Sequence, residues 1–264
     1  MNNLLSAEFF KLFRRKSFYI CIAILVLLTL ISGIVMKVLL VTETLPAEQM
    51  EQMKLTDSDM SGANQLAGTF ADSDTLSLVL AIFISLFICT DYSSGTIKNT
   101  CSRGYSRWKV YASKLVAVWF VAAVFIIVSI IIRYLIYGAL FEFGTVTNGM
   151  MKEFMVICGT AMLIYMAMST IFVFISTLAK NSGIAIATNV ALSTFVALIL
   201  QLLDMFSKLK ITFSHYWLVS ISAEISHFNI ADGVITRILV VTAVYAVVFL
   251  IAGFTLFQKE DIKV

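Results

Sequence analysis

The chain reads as an all-α membrane protein with six transmembrane helices and both termini in the cytoplasm. Three observations predict this. First, 60% of its 264 residues are hydrophobic and only 13% are charged, whereas a soluble domain is ~45–50% apolar and ~25% charged. That excess is more than one soluble core can bury, and it excludes a soluble enzyme and a disordered chain. Second, six long apolar runs follow one another along the sequence. Third, Lys and Arg are spread unevenly over the segments between them.

A span needs ~20 apolar residues at ~1.5 Å each to cross ~30 Å of hydrocarbon. The candidate spans are about 18–40, 75–90, 115–141, 154–178, 183–203 and 234–257. The second is short and is expected to recruit flanking residues. A cleaved signal peptide is the competing reading of the first, since Arg14, Arg15 and Lys16 precede it. The run is too long for that, and no small-residue cleavage site follows. The whole chain, 1–264, is read as one transmembrane domain.

Orientation follows from the Lys and Arg of the connecting segments. Twelve lie on the side of the termini and four on the other, with Lys37, Arg133 and Arg237 inside spans. The excess places both termini in the cytoplasm, as an even number of spans also requires. The segment 42–74 is acidic, carries the only Pro (Pro46), and is expected to be a solvated outer loop without chemistry. The three in-span cations sit near the outer ends of their helices. They either snorkel to the interface or line an outer vestibule, where Glu142 or Asp232 is an available partner. Mid-span positions carry no charge, which disfavours a proton relay or an ion-driven carrier.

Residues 3–16 place Leu5, Phe9, Leu12 and Phe13 at helical spacing, with Glu8, Lys11 and Arg15 on other faces. This is an amphipathic helix on the inner membrane surface, basic side toward the head groups. Residues 91–114 form the most informative segment. Ser93, Ser94 and Gly95 suit a turn and a helix start, Thr96–Ser102 two helical turns, Gly104 a second turn, and Ser106 the cap of a helix entering the third span. The expected product is a short helix across the base of two spans, exposing Ile97, Tyr105, Trp108 and Tyr111 among basic residues. Aromatic and Arg side chains at an exposed site suit a protein interface; the bland alternative is an aromatic-basic belt facing lipid.

These residues resemble a known family. Asp91, Gly95-Thr96-Ile97-Lys98, Ser102-Arg103-Gly104-Tyr105-Ser106-Arg107 and Ser113-Lys114 are similar to the first cytoplasmic loop of ABC type-2 exporter permeases. The opening from Leu5 to Arg14 is similar to that family's starts. Many members carry Pro in the turn before Ser-Arg. Gly104-Tyr105 stands there instead, which is closer to small Gram-positive members of the bacitracin- and lantibiotic-resistance type.

The resemblance implies that Asp91, Gly95, Thr96, Ile97, Lys98, Arg103, Tyr105, Arg107 and Trp108 couple to a separate ATP-binding subunit, which would hold ATP and Mg. It implies that 3–16 is an elbow helix, and that a second permease chain, identical or not, completes the assembly in a bacterial cytoplasmic membrane. It also implies short re-entrant helices between the last two spans, where 204–232 is too polar to span and too apolar for a free loop. Read from the residues alone, that segment is interfacial, with Tyr216 and Trp217 at head-group depth. The cargo would be an amphipathic or hydrophobic peptide, drug or lipid.

No phosphate-binding G-x-x-x-x-G-K-[ST] occurs; the one Gly pair at that spacing, Gly144 and Gly149, is followed by Met150. The chain is therefore expected to bind no cofactor and to have no ATPase or other catalytic residues of its own. His215 and His227 lack a third ligand at metal spacing, and the four Cys read as small buried hydrophobes. The Met residues between Met150 and Met168 suit core packing or a greasy substrate path. Gly159, Gly183 and the neighbouring Ala residues suit helix approach. No nucleic-acid partner is expected. The rival classes are a membrane sensor or assembly subunit that docks a partner through 91–114 and moves nothing, and an intramembrane enzyme, which lacks a Ser–His or Asp–Asp pair at matched depth.

Overall fold

A computed structural model describes residues 2–42, 60–206, 212–228, 230 and 232–259, with Asn2 and Asp232 described by backbone alone. Ten α-helices account for most of them. They are α1 (Asn2–Arg14), α2 (Lys16–Val41), α3 (Gln65–Gly68), α4 (Ser73–Ser93), α5 (Thr96–Ser102), α6 (Arg107–Leu140), α7 (Asn148–Ala179), α8 (Ser182–Phe206), α9 (Leu218–Glu224) and α10 (Asp232–Lys259). A 3-10 turn at Phe213–Tyr216 precedes α9. No strand occurs among the described residues.

Six of these helices are long and apolar enough to cross a membrane: α2, α4, α6, α7, α8 and the bulk of α10. The chain is a multi-pass membrane protein. Each span extends beyond its apolar run because helix geometry continues into the polar flank. The second covers Ser73–Ser93, close to the ~20 residues a crossing needs. The third starts at Arg107, eight residues before its apolar stretch begins.

The spans differ in role. α4 and α7 occupy the centre, with 67% of each apolar window buried, whereas only 11% of that of α10 is buried. The outer faces of α2, α8 and α10 carry rows of exposed Leu, Ile and Val, the pattern expected where the solvent is lipid. α4 packs against α7 and α8, α10 against α7, and α2 against α6. Phe18, Phe83, Phe87 and Phe125 interlock edge-to-face and stacked where α2, α4 and α6 meet.

The expectation of a solvated loop over 42–74 fails for its second half. Residues 43–59, with Pro46, Lys54 and five carboxylates, lie outside the described residues. From Met60 onward the chain folds inward. Ala63, Ala67 and Phe70 are buried, and the Gly62 and Ala63 amides donate to the Glu142 and Phe143 carbonyls at 2.8 and 3.0 Å. A Cβ on Gly62 would collide with the Tyr134 carbonyl. The physical reason is in the composition: Met60 to Ala71 contains no charged residue and is rich in small ones.

The stretch between α8 and α10 is also partly tucked in. Leu218, Val219, Ile221 and Ser222 of α9 are buried, and the Ser73 hydroxyl donates to the Val219 carbonyl at 3.3 Å. Trp217 packs edge-on to Tyr245 of α10. Tyr216 is exposed, but Trp217, expected beside it at head-group depth, is turned into the bundle.

Candidate docking face and the ionic clusters at the two ends

The loop from α4 to α6 folds for local reasons. Gly95 takes a left-handed φ of 67°, which reverses the chain after α4, and Gly104 at φ 86° does the same after α5. Between them α5 runs two turns, its polar groups closed by Thr100 donating to the Thr96 carbonyl and Ser102 to that of Asn99. Ser106 sits at the start of α6 in extended conformation, and its carbonyl accepts from the Lys109 amide at 2.9 Å. The expected short helix across the base of two spans is present: α5 packs on both α4 and α6.

Its outward side presents Lys98, Asn99, Ser102 and Arg103. Trp108, in the first turn of α6, is 47% exposed, with the Lys109 ammonium 5.7 Å from its ring. Arg107 donates to the Gln258 carbonyl at 2.8 Å and so ties the end of α10 to this face. Tyr105 is half-buried.

Two residues expected on the exposed surface are not there. Ile97 is buried at 3%, as the inward-facing position of a helix lying on two others. Tyr111 is buried beside Phe254 and Phe257 of α10, with ring centroids at 4.9 and 5.4 Å. It fits because Gly253 leaves room for its phenol. Burial pushes the Cys101 thiol of α5 up, with Arg107 pulling it partly back.

Beneath this face lies a buried ionic cluster. The Asp91 side chain is 2% exposed and pairs with the equally buried Lys114 ammonium. Its other oxygen accepts from Arg15 at 2.8 Å, and Lys11 approaches at 3.5 Å. Lys11 also pairs with Glu8 at 3.0 Å, and Lys114 with Glu8 at 3.6 Å. Arg15 further donates to the Leu86 and Phe87 carbonyls of α4. Asp91 therefore cannot touch a docked partner, and its place among the coupling residues becomes a supporting one.

The orientation of α1 changes for the same reason. Its basic side was expected to face lipid head groups. Instead Glu8, Lys11 and Arg15 turn toward the bundle, and Phe10 and Phe13 are exposed. A carboxylate buried among apolar helices must be paired, and these are the cations within reach. Phe9 and Phe13 then pack edge-on to Phe120 of α6.

The in-span cations at the opposite end are held by partners. Lys37 donates to the Leu140 carbonyl at 2.5 Å and lies 4.8 Å from the Phe141 ring centre. Arg133 is buried; it pairs with Asp72, donates to Gln65 at 3.0 Å, and stacks over Tyr137. Arg237 pairs with Glu224, which also holds His215. The expected partner Glu142 is not used by Arg133, because Asp72 and Gln65 reach it first. Free snorkelling is thus replaced by specific pairing at Arg133 and Arg237. Asp232, the other expected partner, has no described side chain.

One polar site was missed. Asn189 of α8 is fully buried and donates to the Ser85 hydroxyl of α4 at 2.8 Å and to the Ser176 hydroxyl of α7 at 3.1 Å. It joins three spans. Its only sequence signal is a lone Asn in an apolar run. Among the described residues, no group of three or more His, Cys, Asp or Glu could hold a metal ion.

In comparison with known families, residues 48–263 match a family model described as a protein of unknown function (DUF2705). No curated protein matches the chain.

Proposed function

We propose that this chain, which belongs to the DUF2705 family, is the membrane-spanning permease subunit of an ATP-driven exporter that works with a separate ATP-binding subunit. The observation that carries the reading is the face built by α5 and the first turn of α6. It is a short helix across the base of two spans, exposing Lys98, Arg103 and Trp108 and fixed from below by the Asp91 cluster. An exposed Trp among Arg and Lys is an anchor set for a protein partner. Rigid attachment beneath it is what transmission of a partner's motion requires.

In this reading the basic end is cytoplasmic. ATP binding and hydrolysis occur in the partner, and α5 passes its movement to α4 and α6 through Ile97 and the Asp91–Lys114 pair. The permease supplies two packed states of different stability. A second permease chain would complete the path, and the cargo is an amphipathic or hydrophobic molecule, consistent with mid-spans that carry no charge.

The test is a mild-detergent pull-down of tagged chain from its native membrane. A co-purifying P-loop ATPase, lost in Trp108→Ala and in Arg103→Glu while membrane insertion is kept, supports the exporter. Capture of a partner without ATPase activity would move the assignment to a sensor or assembly subunit that uses the same face.

A further inference from the structure

A cavity of about 210 Å³ lies between α2, α4 and α6 at the end opposite the docking face. Its apolar wall is Leu25, Leu28, Ile31 and Leu76. Leu28 and Ile31 are also exposed on the outside of α2, so this wall is continuous with the lipid-facing surface of that helix. Its polar groups include Thr29, Thr69, Asp72, Ser129 and Arg133. We propose that this cavity is a binding site for a membrane phospholipid whose zwitterionic head group bears a primary ammonium.

The depth fits a lipid. Arg133 lies nineteen residues beyond Lys114 on α6, a rise of about 28 Å against ~30 Å of hydrocarbon. If Lys114 marks one boundary, Arg133 marks the other, where head groups lie. Leu25 and Leu28 lie on α2 before Thr29 and Ser32, toward the docking-face end, where an acyl chain would run. The size fits as well. At ~30 Å³ per water the cavity holds about seven water volumes, room for a small phosphate–amine head group and none for a folded peptide.

The charges select the head group. Arg133 offers a planar guanidinium with several N–H donors, and Asp72 offers a carboxylate whose side chain is 47% exposed. Only one Asp72 oxygen is engaged by Arg133, and the other has no partner among the described residues. A purely anionic head group would satisfy Arg133 and face Asp72 unmatched; a purely cationic one would do the reverse. A phosphate joined to a primary ammonium answers both, the phosphate on Arg133 and the ammonium on Asp72. Remaining acceptors favour an N–H-bearing group. Thr29 spends its proton on the Leu25 carbonyl and Thr69 on that of Gln65, which leaves their oxygens to accept. The Ser129 hydroxyl is buried without a partner among the described residues and can donate to a phosphate oxygen.

The inference is independent of which partner the opposite face docks. The test reconstitutes the full chain in nanodiscs of equal parts phosphatidylethanolamine, phosphatidylglycerol and phosphatidylcholine. Lipids retained after gentle delipidation are then read by native mass spectrometry. Phosphatidylethanolamine should be retained about tenfold over the other two, a ratio that one well-placed charged hydrogen bond can supply. Asp72→Asn should abolish the preference. Thr29→Phe, which fills the cavity and keeps both charges, should lower retention of every lipid. Preferential retention of phosphatidylglycerol or phosphatidylcholine, a phosphatidylethanolamine preference that survives Asp72→Asn, or lipid retention unchanged in Thr29→Phe would overturn the proposal.

Discussion

Asp91 of α4 and Lys114 of α6 form a buried ion pair at one end of the bundle, and nineteen residues along each helix the same two segments are joined again by Asp72 and Arg133. Two antiparallel helices are thus clamped at both ends, about 28 Å apart. In chain order the charges run acid, acid, base, base, each pair nineteen residues apart, and antiparallel pairing at that equal spacing brings them into register. The clamp explains why α4 and α6 can carry a surface helix between them without splaying.

Asp91 is expected to be structural. Asp91→Asn leaves the buried Lys114 and the partly buried Arg15 without that carboxylate, and removal of one partner from a buried pair costs about 3–5 kcal/mol. Thermal unfolding followed by size-exclusion of the detergent-solubilised chain should show a large drop for Asp91→Asn. Trp108→Ala should show almost none, because its side chain is half in solvent. Equal drops would deny the division between supporting cluster and docking surface.

Arg133 and Asp72 should be coupled but unequal. Arg133 is buried and Asp72 half exposed, so water can reach the acid when its partner is removed but cannot reach the base as easily. Asp72→Asn is therefore expected to destabilise more than Arg133→Gln, with a coupling of about 1–3 kcal/mol in the double variant. A double variant whose loss equals the sum of the singles would show that the pair does not act as one.

The spans and the α5 loop were legible because their signals are local. Apolar runs set the spans, and Gly95 and Gly104 set the turns. The clamp was not, because Arg15 and Lys114 reach Asp91 from 76 and 23 residues away. Residues that read as a basic surface in one dimension become an internal cluster in three. The same holds for 60–71: its lack of charge was visible, but the proximity of Asp59 and Asp72 made the whole segment read as solvent-facing. Tyr111 was misread for a related reason. Its cover, Phe254 and Phe257, comes from the last helix.

Asn189 should be only a modest contributor. Ser85 and Ser176 already donate to carbonyls one turn back on their own helices, so loss of the amide leaves no unmet donor. Asn189→Leu is expected to cost about 1 kcal/mol, the usual scale for an interhelical hydrogen bond in a membrane. Asn189→Asp should cost more, because an ionised carboxylate there would meet no cation among the described residues. A melting comparison of the two variants checks this; equal stability would deny that the site is dry.

Gly253 tests how α10 is held. A methyl group there would collide with the Tyr111 phenol, which is fixed between Phe254 and Phe257. Gly253→Ala should force the ring or the helix to move, at about 1–3 kcal/mol for overpacking. Tyr111→Phe removes the colliding hydroxyl, which is buried without a partner among the described residues, and should restore part of the loss when combined with it. Because Arg107 also ties α10 to the docking face, a shifted α10 would disturb that face from behind. Partner capture by Gly253→Ala should fall with its stability and recover in the double variant. Full capture by a destabilised Gly253→Ala would separate α10 from the docking surface.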